Sequence, residues 1–235
     1  MLRMAIWSYL LVMVISVATA AAGQGVARAD GPLLHSGDLV VAMEYRDPVT
    51  YEYSLRLEVR TAGAPAQVGA SVALGGGYPA ALASDAAGNV YVYLYEDTAG
   101  PSVVKYNRSL EPLGTVGTAS HGRAAEGMAV ADNGDVFVAA YSDGTSGSGG
   151  IYEFSANGQI HGQIIPMQIG AEGVNLGPDQ CTLTYYDLDD NNGYGRLRRY
   201  DACTHQALPD PVAPLPGLQL GPTSVQWRHF ALHRS

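Results

Sequence analysis

A unit of about 46 residues recurs along this chain, and that recurrence constrains the fold more than any other feature. Its clearest copy is Glu126-Gly-Met-Ala-Val-Ala-Asp-Asn-Gly-Asp-Val-Phe-Val-Ala-Ala-Tyr141, followed by a Gly/Ser loop and then Gly150-Ile-Tyr-Glu-Phe-Ser155. Apolar runs with period two, separated by Gly-containing turns, predict consecutive antiparallel strands joined by hairpins. Anchoring each copy on the first apolar residue of its opening strand gives Leu82, Met128, Val174 and Leu218, at separations of 46, 46 and 44 residues. That is the spacing of a four-stranded propeller blade. The expected fold is therefore an all-β propeller of four-stranded blades, with at least four repeat units and an incomplete C-terminal end.

Gly127, Gly173 and Gly217 stand before three of the anchors, and Ala81 before the fourth. Small residues there suit strands crowded about a central axis. The two later copies share Val174-Asn-Leu-Gly-Pro-Asp-Gln-Cys181 and Leu218-Gln-Leu-Gly-Pro-Thr-Ser-Val225, and their turn into the second strand reads as one residue shorter than Asp85-Ala-Ala-Gly-Asn89. Second strands are expected from Asn89, Asp135 and Cys181, third strands at Val103–Tyr106, Ile151–Phe154 and Leu197–Tyr200, and weaker fourth strands near 113–116, 160–165 and 206–208.

Residues 1–29 carry Arg3, an apolar core from Trp7 to Ile15 and Ala-x-Ala ends, the pattern of a secretory signal peptide. Cleavage after Ala29 is the first choice and after Ala22 the second; an uncleaved membrane anchor is the alternative. After cleavage no other stretch is long and apolar enough to span a bilayer, so the expected location is secreted, periplasmic or at the cell surface. The repeats then occupy 30–225, with units near 36–75, 80–118, 126–166, 172–209 and a partial unit at 216–227. Ser36-Gly-Asp-Leu-Val-Val41 matches the second-strand part of the repeat, so the first unit lacks an opening strand, which Leu218-Gln-Leu220 is expected to supply. Residues 226–235, with Trp227, Arg228, His229 and Arg234, depart from the pattern and read as a truncation or frameshift of a longer propeller. A net charge of −9 disfavours nucleic acid and anionic membrane as partners.

Ala83-Ser-Asp-Ala-Ala-Gly-Asn-Val-Tyr-Val92 with Val104-Lys-Tyr-Asn107, and Met128–Val138 with Tyr152-Glu-Phe-Ser155, resemble the NHL-type repeat. The unit from Val174 to Leu208 is similar to bacterial exported NHL-repeat proteins of unassigned function. The resemblance covers nearly all of the chain after the leader, and it implies a fold rather than an activity, because such propellers include enzymes, ligand binders and scaffolds.

Cys181 and Cys203 are the only cysteines, and a hairpin folded about position 192 would set them opposite one another within disulfide reach. Asp187-Leu-Asp-Asp-Asn-Asn-Gly193 only superficially resembles a calcium loop: Asn192 stands where Gly is needed and Arg198 where Glu is needed. Glu126 and Glu172 occupy the same place in successive units. In lactonase-like propellers resembling gluconolactonase a divalent metal at the channel mouth is held by such acids, but the matching places here are Ala80 and Pro216. Asn107-Arg-Ser109 fits a glycosylation acceptor, and Tyr91, Tyr93, Tyr95, Tyr141, Tyr185 and Tyr186 would form a carbohydrate-stacking surface where alternation leaves them exposed. No catalytic set is found and no cofactor is expected. The expected role is non-catalytic binding of a protein, glycan or small-molecule ligand through the channel face and the loops Glu96–Pro101, Ser142–Gly150 and Asp187–Gly195, with a metal-dependent hydrolase, or an inactive truncated product, as alternatives.

Overall fold

In the computed structural model of the protein, the description covers residues 13–16, 34, 38–46, 53–60, 68–74, 78–95, 102–118, 125–142, 147–156, 160–189 and 195–211. They form four antiparallel sheets of four strands each. The first contains β1 (Met13–Ser16), β2 (Leu39–Arg46), β3 (Tyr53–Arg60) and β4 (Val68–Ala73). The second contains β5 (Tyr78–Ser84), β6 (Val90–Tyr95), β7 (Ser102–Tyr106) and β8 (Pro112–Thr118). The third contains β9 (Ala125–Val130), β10 (Val136–Ala140), β11 (Gly149–Phe154) and β12 (Ile160–Met167). The fourth contains β13 (Ala171–Leu176), β14 (Thr182–Asp187), β15 (Arg196–Asp201) and β16 (Gln206–Leu208). Among the described residues no helix is long and apolar enough to cross a membrane.

The sheets follow one another as propeller blades. Their first strands meet in the order β1, β5, β9, β13. Strand alternation sends one set of side chains to each neighbour. Val90, Val92 and Leu94 face Val40, Ala42, Leu57 and Val59 of the first sheet. From the same strand, Tyr91 and Tyr93 face Val136, Val138 and Ala140 of the third, whose Phe137 and Ala139 pack against Leu183 and Tyr185 of the fourth. Burying both faces of a strand requires apolar residues at every position, and β10 is buried throughout. Each filled side chain of this size contributes about 1.5–3 kcal/mol by leaving water.

The inner strands approach so closely that a Cβ on Gly127 would lie 2.6 Å from the Gly173 Cα. A glycine at 127, before the Met128 anchor, is thus required by the contact between β9 and β13. The inner strands β5, β9 and β13 also each carry a β-bulge near their start, leaving Ala80, Glu126 and Gly173 out of the ladder.

Three sequence expectations change here. The turn of the fourth sheet is one residue longer than the others, not shorter: Gly177 N donates to Thr182 O, whereas Asp85 N reaches Asn89 O and Ala131 N reaches Asp135 O. Gln180 (φ 60) takes the left-handed position held by Gly88 and Gly134 in the other turns, and Cys181 is the added residue. Cys181 and Cys203 are disulfide-bonded with Cα atoms 5.2 Å apart. They sit just beyond the ladder rather than on it, because its final pair is Thr182 with Asp201 and Cys181 O instead accepts Ala202 N. Finally, the first-strand position of the first sheet holds Met13–Ser16, in the segment read as a leader. Residues 212–235, including Leu218–Leu220 and the atypical tail, lie outside the described residues.

Two outcomes follow from the packing. Gly127→Ala forces backbone against backbone and should cost about 1–3 kcal/mol, read as a lower urea midpoint with an unchanged slope. Reducing the Cys181–Cys203 bond, which closes a separation of 22 residues, should cost about 3 kcal/mol in the same assay; equal midpoints with and without reductant would contradict the latter.

Candidate functional site: one rim of the blade array

Strand pairing defines one end of the array. Tyr78 pairs with Tyr95, Ala125 with Ala140 and Ala171 with Asp187, so the inner strands begin where the second strands finish. The three bulges lie at this end, and so do the connections between second and third strands. Bulges re-aim side chains and are common beside functional sites.

Among the six second-strand tyrosines, Tyr91, Tyr93 and Tyr185 are buried between sheets. Tyr95, Tyr141 and Tyr186 are half-buried, and all three belong to the rim. Tyr95 lies on the same face of β6 as Tyr91 and Tyr93 and differs from them by standing at the strand end, so only Tyr185 and Tyr186 divide by alternation. Burial pushes the Tyr185 phenol up to about 12, assisted by Asp187 and Asp210 and opposed by Arg198, so it stays neutral. Burial likewise raises Tyr93, with the phenols of Tyr152 and Tyr95 near it.

The two glutamates do not share a place in their strand ladders. Glu126 is the unpaired residue of its bulge, and its side chain lies outside the described residues. Glu172 is paired with Tyr186 in the ladder, and its carboxylate accepts the Tyr141 hydroxyl. The bulge has moved by one position between the sheets, so equal sequence spacing does not give equal backbone geometry. Ala80, at the corresponding place in the second sheet, offers no ligand, and Pro216 lies outside the described residues.

Hydrogen bonds organise the loop bases. Ser142 Oγ lies 2.9 Å from Ser148 Oγ, and Gln163 Nε2 donates to the Gly147 and Gly149 carbonyls at 2.6 Å each. In the loop after β14, the Asp189 carboxylate accepts three consecutive backbone N–H groups: Gln168, Ile169 at 2.6 Å and Gly170 at 3.3 Å. Asp187 accepts Asp189 N at 2.9 Å and Arg198 Nε at 3.2 Å, while Arg198 and Arg196 also reach Asp210, at 3.1 Å and 3.6 Å. Asp187 and Asp189 therefore hold the base of the loop and the neighbouring link between sheets. The sequence carried no signal for this role, because which N–H groups a loop carboxylate meets depends on the backbone path. Cys181, Asp201 and Cys203 also bring ligand-type atoms together, but both sulfurs are in the disulfide. Loop residues 96–101, 143–146 and 190–194 lie outside the described residues.

No protein-family model matches the chain, and no curated protein matches it in sequence. Among solved structures it is similar to one described as a crystal structure of the eukaryotic initiation factor, with 11% identity and a TM-score of 0.44. The match covers 73% of this chain and 51% of that one, so the chain spans about half the length of the structure it matches. The fold assignment rests on the strand pairing itself.

Asp189→Ala removes the acceptor of three N–H groups and should cost about 1–3 kcal/mol, with faster amide exchange at Gln168, Ile169 and Gly170. Unchanged exchange at those three amides would show that the carboxylate does not hold the link.

Proposed function

We propose that the protein is an exported NHL-like β-propeller that acts as a non-catalytic binding or scaffold module, meeting a protein, glycan or small-molecule ligand at the tyrosine-bearing rim. The observation that carries this reading is the placement of Tyr95, Tyr141 and Tyr186, half-buried and from three successive sheets, at one end of the array. A tyrosine held by packing presents a flat apolar face and a polar tip with few rotamers left to freeze, which suits a planar or sugar ligand. The neighbouring inter-strand loops differ in length and sequence from sheet to sheet, as selective contact would use. The Glu172 carboxylate is engaged by Tyr141, which favours a hydrogen-bonding rim group over a metal ligand.

The competing reading is a metal-dependent hydrolase resembling the gluconolactonase-type propellers, with Glu126 and Glu172 as ligands. Glycan and protein arrays probed with the exported chain, followed by Tyr95→Ala, Tyr141→Ala and Tyr186→Ala, separate the two. The binding reading expects an array ligand whose affinity falls by roughly tenfold or more with each variant, the loss of one stacking or hot-spot contact. One tightly held divalent ion, lost on Glu126→Ala or Glu172→Ala and accompanied by lactone hydrolysis, would replace it with the enzyme.

A further inference from the structure

Three ligand-type side chains converge at the first turn of the fourth sheet, at the end of the array away from the tyrosine rim. The sulfurs of Cys181 and Cys203 and a carboxylate oxygen of Asp201 all lie within 4.8 Å of one another. The fold explains the convergence. Thr182 and Asp201 form the final pair of the ladder between β14 and β15, and the two cysteines stand just past it in separate turns. The turn after β15 folds back on Asp201, whose Oδ1 accepts Cys203 N and Thr204 N at 2.9 Å each. The carboxylate is thereby fixed beside the sulfurs.

While the sulfurs are bonded to each other they offer a metal no thiolate. Reduction changes that. Cys203 is exposed and Cys181 half-buried, so a small dithiol can reach the bond. Its two thiols become a disulfide as Cys181 and Cys203 take up the two electrons and two protons. The freed sulfurs must part to about 3.8 Å to sit at about 2.3 Å from one tetrahedral ion. Rotation about Cα–Cβ supplies this with the Cα atoms left 5.2 Å apart, because both cysteines lie outside the ladder.

The donor set selects the ion. Two thiolates are soft ligands and favour zinc over calcium or magnesium. Asp179 is not a fourth donor: its Oδ1 accepts Cys181 N and Thr182 N, and its Oδ2 accepts Thr182 Oγ1, so it shapes the turn that carries Cys181. The remaining tetrahedral position falls to water from the exposed side.

We propose that the reduced chain binds one zinc ion through the Cys181 and Cys203 thiolates and the Asp201 carboxylate, with water as the fourth ligand. Uptake releases the two thiol protons. Disulfide and ion are alternatives at one place. Each ties the turn before β14 to the end of β15, the first under oxidising conditions and the second under reducing ones.

Cobalt(II) titration of the full chain, reduced with a phosphine, reads thiolate ligation through its charge-transfer absorption. One equivalent per chain is expected, displaced by zinc, with no such absorption from the oxidised chain. Asp201→Asn keeps both thiols and an Oδ1 acceptor for the turn but removes the anionic ligand, and its affinity should fall at least tenfold. No charge-transfer absorption in the reduced chain, one ion per two chains, or equal affinity in Asp201→Asn overturns the proposal. Should that variant fail to fold, urea unfolding of the reduced unsubstituted chain decides the matter. Zinc is expected to raise the midpoint, as binding to the folded form requires; an unchanged or lower midpoint shows that the thiols bind metal without this site and overturns it.

Discussion

The contact between the inner strands β9 and β13 governs much of this structure. Gly127 and Gly173 bring two backbones to a distance at which no side chain fits, and this places the flanking Met128 and Val174 where their sheets meet. Once the inner strands are that close, the second strands β10 and β14 are drawn face to face, and Phe137, Ala139, Leu183 and Tyr185 close a dry layer between them. Gly117 does the same for outer strands: a Cβ there would meet the Phe154 ring at 2.4 Å. The array is thus built by omitting side chains at a few places so that large ones fit elsewhere.

The second, third and fourth sheets each tie their first turn to the end of their third strand, by a different chemistry. In the second sheet Asp85 accepts Asn89 Nδ2 at 2.7 Å and Tyr91 Oη at 3.1 Å and faces Lys105 at 3.5 Å. Burial alone would raise its carboxyl, but these donors outweigh burial and hold it below the usual range. In the third sheet Asp135 accepts Ala156 N at 3.0 Å. Forty-six residues on, in the fourth, Cys181 makes the covalent version with Cys203. That blade is the one whose turn carries an added residue and whose Gln180 is held at positive φ. A cross-link suits it, because a longer turn has more freedom to lose. Gln180 Oε1 also accepts Asp132 N at 2.9 Å, coupling the turns of adjacent sheets.

Blade spacing, strand order and the sheet-facing alternation were legible in the sequence because they follow from the spacing of Leu82, Met128 and Val174 and from period-two patterning. The cysteine pairing was legible too, since only one pair exists. Its place beyond the ladder was not: an added turn residue shifts register by one, and Gly-Pro-Asp-Gln reads as well for either length. The bulges at Ala80, Glu126 and Gly173 were hidden for the same reason, as they depend on how two strands pair and not on either strand alone. This is why Glu126 and Glu172, equal in spacing, differ in setting. The capture of three N–H groups by Asp189 depends on a loop path that no local pattern specifies.

The rim inherits its geometry from the axis: Tyr95, Tyr141 and Tyr186 come to one end because the sheets that carry them are pinned through their inner strands. That pinning is the central physical claim, and nuclear Overhauser contacts between the Hα protons of Gly127 and Gly173 measure it directly. A strong cross-peak is predicted, since the ideal Cβ direction at Gly127 points to within 2.6 Å of the Gly173 Cα. Its absence, in a folded sample where both glycine resonances are assigned, would contradict the close approach and with it the arrangement of the third and fourth sheets.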